Sequence, residues 1–124
     1  MKKIRTFLLF AFIGAGIINF LGVAYFKSSN ISAFKRYIEF CAENESTLNQ
    51  IKQSSEMKDK VLQITATYRA FQDKGITNPD DMISYHTKNV RKGASVISNY
   101  YKLYKMGKAY ELQVETGKKL IDQQ

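Results

Sequence analysis

From residue 7 to residue 26 the sequence reads FLLFAFIGAGIINFLGVAYF, twenty residues without a charge. As a helix this run rises about 30 Å, the thickness of a bilayer's hydrocarbon core. Twelve of the twenty are Phe, Leu, Ile or Val. At about −0.4 kcal/mol each near the centre, they favour insertion by roughly 5 kcal/mol before the glycines and Asn19 are set against them. The pattern predicts a transmembrane helix over residues 7–26, preceded by a basic cytoplasmic flank at 1–6. Ala11, Ala15, Ile18 and Gly22 recur at 4, 3, 4 spacing, with Asn19 beside them. A stripe of mostly small residues lets a second helix approach closely, and Asn19 can hydrogen-bond across such a contact.

The competing reading is a cleaved signal peptide. Lys2, Lys3 and Arg5 supply its basic start, and small residues lead up to a cut after about Ala24. Two features oppose cleavage. The apolar run exceeds the ordinary length of a signal core, and the chain stays apolar past the cut through Tyr25 and Phe26. The basic residues packed against the N-terminal end of the span, set against Lys27, Lys35 and Arg36 beyond it, predict a cytoplasmic N-terminus and an extracytoplasmic domain.

Beyond residue 26 continuous apolarity gives way to helical periodicity. A polar joint at 27–30 precedes Ile31, Phe34, Ile38, Cys41 and Leu48, which predict a helix over about 30–53. Glu45 interrupts that stripe, and residues 43–47 would suit a break, but a continuous helix is the expectation. Ser54, Ser55 and Glu56 resemble a helix start for Met57, Val61, Ile64, Tyr68 and Phe71, a helix over about 55–74 closed by Gly75. Asn78, Pro79, Asp80 and Asp81 combine a capping side chain, a proline at the first helical position and carboxylates at the positive end of the helix dipole. A last helix over about 79–122 follows, with Gly93, Gly107 and Gly117 as its expected kinks or ends. The predicted fold is all-α: one membrane helix, then a domain at 27–124 forming a bundle or hairpin of about three helices.

Composition sharpens this picture in three ways. A single proline and many aromatic residues oppose disorder and a loop-rich β fold. A domain of about 100 residues buries roughly 60 to 65 % of its surface, so association with itself or a partner is expected to stabilise it. The chain carries +8 overall, yet residues 27–124 hold 16 basic and 11 acidic residues, an excess too small for a dedicated nucleic-acid binder.

Candidate chemistry is sparse. Cys41 is the only cysteine and His86 the only histidine, which leaves no intramolecular disulfide and no cysteine-based zinc site. Each lies on an apolar helical stripe, where a small thiol and a partly buried ring serve as core. Gly107-Lys108 and Gly117-Lys118 lack the spacing of a phosphate loop, and Asp80 and Asp81 are accounted for by the helix start. Neither a catalytic group nor a cofactor, metal or small-molecule substrate is indicated.

The informative segment is 99–110, where tyrosines and lysines interleave on a helix. Tyr101, Lys102, Lys105, Lys108 and Tyr110 form a candidate protein interface, with lipid headgroups or single-stranded nucleic acid as further readings. The plainer reading packs Tyr100 and Tyr104 in the core and leaves the lysines in water. Together these features predict a non-enzymatic, single-pass membrane-anchored subunit or assembly factor of a membrane or envelope complex, whose partners are membrane proteins, further copies of itself and lipid. The alternative is a secreted helical binding or inhibitory protein released by cleavage.

Overall fold

The computed structural model describes the backbone of residues 2–92 and 97–124, and side chains for residues 21–92 and 101–124. Its described residues are all-helical: α1 Lys2–Glu43, α2 Glu45–Ile51, α3 Lys58–Ile64, α4 Ala66–Asp73, α5 Pro79–Arg91 and α6 Ile97–Asp122. Among residues with described side chains, no helix is long and apolar enough to cross a membrane. Most of the apolar run at 7–26, including Ala11, Ala15, Ile18 and Asn19, lies outside them.

The joint expected at 27–30 is helical, so α1 continues without interruption from the leader into the domain. No glycine or proline falls there, and tertiary contact overrides the weak helix propensity of Ser28, Ser29 and Asn30. Asn30 is fully buried and its Nδ2 donates to the Leu103 carbonyl at 2.6 Å.

The continuous helix expected over 30–53 is instead divided at Asn44, and the helix expected over 55–74 is divided at Thr65. Both breaks share one device. Asn44 Nδ2 donates to the Phe40 carbonyl at 2.8 Å, and Thr65 Oγ1 to the Val61 carbonyl at 2.8 Å. A side chain that competes for the carbonyl four residues earlier bends the helix there. Ser54 and Ser55 do not cap; α3 begins after Met57 with no side-chain cap bond. α4 ends as its glycine predicts: Gly75 has φ +89°, its N–H donates to the Gln72 carbonyl, and Ile76 N–H reaches the Phe71 carbonyl. That pair of bonds is the Schellman closure. Asn78 Oδ1 accepts from Asp80 N–H at 2.8 Å and caps α5, with Pro79 in its first turn.

The single helix expected over 79–122 is two. α5 stops at Arg91 and α6 begins at Ile97, with Gly93 outside the described residues. α5 runs antiparallel to α1: Arg91 lies against Lys27, and His86 stacks on Phe34. α6 runs parallel to it, since Tyr101 meets Phe26, Leu103 meets Asn30, Tyr110 meets Phe34 and Gly117 meets Phe40.

Gly107 and Gly117 are neither kinks nor ends. Both are buried inside α6 at its crossing with α1. A Cβ on Gly107 would lie 3.3 Å from Asn30 Cα, and one on Gly117 would lie 2.6 Å from the Phe40 ring. Their missing side chains set the close spacing of the two helices. The core fills the upper end of this pair, around Phe34, Tyr37, Ile38, Cys41, Leu48, Val61, Ile64, Met82 and Leu120.

Candidate functional site

The lower end of the domain, where α1 leaves its apolar run, is built differently from that core. Here the parallel course of α6 brings Tyr101 and Tyr104 beside Tyr25 and Phe26. The Phe26 ring lies 6.0 Å from that of Tyr101 and 5.3 Å from that of Tyr104, and Tyr25 lies 6.2 Å from Tyr104. The rings are packed but not enclosed: Tyr25 is 61 % exposed and Tyr101 49 %. Lys105 Nζ stands 4.9 Å from the Tyr101 ring centre and Lys108 Nζ 5.3 Å from that of Tyr104. Each ammonium faces the negative surface of an aromatic ring.

Four of the five residues expected at the interface thus share the outer surface of α6. Tyr101, Lys102, Lys105 and Lys108 are exposed. Tyr110 turns inward, half-buried, its ring 5.3 Å from those of Phe34 and Tyr37. Burial pushes its phenol up. Leu112, 63 % exposed, continues the helical stripe of Tyr101, Lys105 and Lys108 by its spacing. Met106 is also exposed, on a neighbouring face. Tyr104 is half-buried between the helices, and Gly22 is half-buried on α1.

Charge divides along the same axis. Residues 21–38 and 82–110 carry nine lysines and arginines and no Asp or Glu. All eleven carboxylates fall within 39–81 and 111–122, at the upper end, alongside seven basic residues. Lys27 is engaged in the fold, its Nζ donating to the Arg91 carbonyl at 3.3 Å, where a cation meets the negative end of α5.

One turn above the Tyr25 and Phe26 rings, still at the lower end, lies a short polar chain. Leu103 O can only accept, so Asn30 directs its Nδ2 there and presents Oδ1 to His86. His86 Nε2–H donates to that oxygen at 2.6 Å while the ring stacks on Phe34 at 3.8 Å. Burial pushes the imidazole down to about 4, so it is neutral at physiological pH.

The upper end offers little for covalent chemistry. Burial pushes the Cys41 thiol up to about 12, which leaves it protonated and a poor nucleophile at neutral pH. A cavity of about 240 Å³ beside it is lined by Leu48, Val61, Thr65 and Tyr68 among others. Its carboxylate, Glu45, accepts from Tyr68 Oη at 3.1 Å. The Tyr68 phenol is pushed up to about 12 by burial and by that carboxylate. Tyr37 Oη donates to the Ile64 carbonyl at 2.6 Å. Among the described residues, no three His, Cys, Asp or Glu side chains come together to hold a metal ion. Comparison of the chain with protein-family models, curated proteins and solved structures gives no match.

Proposed function

We propose that this chain is a non-enzymatic, single-pass membrane-anchored subunit or assembly factor. Its leader spans a bilayer, and its helical domain holds partner proteins of a membrane or envelope complex through the outer surface of α6. The observation that carries this reading is the continuity of α1: the twenty-residue apolar run and the domain's central helix are one element. A cut after Ala24 would remove Val23, which is 9 % exposed, and would leave Tyr25 and Phe26 at a chain end where they must still pack on α6. Retention of the leader therefore also stabilises the domain. On this reading the N-terminus is cytoplasmic and the domain extracytoplasmic, following the basic flank before the span.

The partner surface is the exposed stripe of Tyr101, Lys105 and Lys108 with Lys102 beside it, extended to Leu112. It sets tyrosine, a residue enriched at protein interfaces, beside an exposed leucine and lysines, of which Lys108 also pairs with Glu111 at 3.3 Å. The test has two parts. Intact-mass measurement and alkaline extraction of native membranes should find residues 1–124 together in the bilayer; a soluble product beginning near Tyr25 would instead support the secreted reading. Photo-crosslinkers at Lys108 and Leu112 should capture protein in those membranes, and Leu112→Glu should abolish co-purification while helical content is unchanged. Unaltered co-purification in Leu112→Glu, with no capture from either position, would sink the partner surface.

A further inference from the structure

We infer that the lower end of the domain is a seat for anionic phospholipid headgroups, with Tyr25, Phe26, Tyr101 and Tyr104 at the interfacial layer and Lys92, Lys102 and Lys105 on lipid phosphates. This rests on the anchored reading above and narrows its partner surface: the stretch of α6 from Tyr101 to Lys105 goes to lipid, and Lys108 and Leu112 remain for protein.

The position of the rings is the first ground. Phe26 closes the apolar run, and the ring of Tyr101 lies 6.0 Å from it. With residues 7–26 in the hydrocarbon, the ring layer stands at the level where tyrosine is enriched in membrane proteins, its apolar body inward and its hydroxyl in the headgroups. The rings come from both α1 and α6, which reach this level together only because they run parallel. Tyr25 and Tyr101 are about half or more exposed at a place where the domain's own core does not cover them.

Charge is the second ground, and its distribution separates lipid from protein. The basic residues around the ring layer come from different elements, Arg91 and Lys92 at the end of α5 and Lys102 and Lys105 on α6, whereas Lys35, farther up α1, already pairs with Glu39 at 4.0 Å. A protein partner needs complementary charge on the one side it covers. A headgroup layer meets the whole circumference, and a ring of cations without neighbouring carboxylates matches a negatively charged surface. The carboxylates are withdrawn to the upper end, where repulsion from anionic lipid is weakest.

The chain has no tryptophan, so one introduced residue reports alone. The full chain carrying Tyr101→Trp is placed in nanodiscs of phosphatidylcholine, or of phosphatidylcholine and phosphatidylglycerol in equal parts, with brominated acyl chains as quencher. Leu112→Trp serves as the reporter farther up α6. The expected result is quenching severalfold stronger at 101 than at 112, increased by phosphatidylglycerol and reversed by salt. Replacing Lys92, Lys102 and Lys105 with glutamine should remove the phosphatidylglycerol increment and leave helical content unchanged. Equal quenching at 101 and 112, or an unchanged increment in the triple variant, overturns the seat. So does a photo-crosslinker at 101 that captures protein instead of lipid in native membranes. A chain that is not retained in the nanodisc overturns both this inference and the anchored reading, whereas a retained chain with an unquenched tryptophan overturns the seat alone.

Discussion

The two ends of the bundle solve the same packing problem with different means. At the upper end α1 meets side chains from α2, α3, α4 and α6, and Tyr37, Ile38, Cys41, Leu48 and Met82 are all but inaccessible to solvent. At the lower end α1 has only α5 and α6 for neighbours among the described residues, its aromatic rings stay partly open, and the one fully enclosed polar side chain, Asn30, ties all three helices together. The upper end joins enclosed apolar area to buried hydrogen bonds such as that from Tyr37 Oη to the Ile64 carbonyl. The lower end rests on the Asn30 bonds and on partly open rings, and leaves apolar and basic surface exposed. On the proposed reading, stability and recognition are segregated along one axis, since interaction surfaces are drawn from less enclosed regions of a fold.

The comparison is broken most severely at the upper end. Tyr37→Ala removes a fully buried ring and the hydroxyl donor to the Ile64 carbonyl, and should cost about 3–5 kcal/mol in chemical denaturation, enough to threaten folding of the whole domain. A variant that loses less than about 1 kcal/mol would mean the upper end is not the cooperative core described.

Asn30→Ala probes the polar tie. It strips partners from the Leu103 carbonyl and the His86 N–H at once, and should cost about 2–3 kcal/mol, with faster amide exchange along the start of α6 and α5 but little change near Leu48. Uniform acceleration of exchange across both ends would erase the distinction between them.

The smallest effect is tuned by pH. His86 is pushed from 6.5 to about 4 in the fold, so the unfolded chain binds the proton more readily. Its contribution to stability is complete above about 6.5 and is lost progressively as pH falls towards 4, on the order of 2 kcal/mol once the ring's partial exposure is discounted. NMR titration of the imidazole should place its midpoint well below 6.5, and His86→Phe should flatten the slope of stability between those pH values. An ordinary histidine midpoint would show that the ring is not enclosed between Phe34 and Asn30.

How far the chain could be read in advance follows from which forces are local. The α4 end at Gly75 and the α5 start at Asn78 and Pro79 were legible because caps are built from residues a few positions apart. The bends at Asn44 and Thr65 were harder, since each depends on whether a side chain bonds the carbonyl four residues back or points elsewhere. Gly107 and Gly117 were misread as interruptions because a low helix propensity is local, while their use at the α1 crossing requires knowing which helix lies opposite. Of the tyrosine and lysine surface, Tyr101, Lys102, Lys105 and Lys108 could be placed outside by periodicity. Tyr110 could not, because its place between Phe34 and Tyr37 depends on the parallel course of α6. The segregation of carboxylates was present in the sequence throughout and became meaningful only once α5 and α6 were laid along α1.

The unbroken course of α1 has a mechanical consequence. With no swivel at residues 27–30, the domain inherits the tilt of the leader. Residues 27–43 extend about 25 Å along the axis. A transmembrane inclination of about 20°, common for single helices, would therefore swing the Glu43 tip sideways by about 9 Å. On the proposed reading, the interfacial anchors and helix contacts that set this inclination would steer where the far end of the lever meets its neighbours.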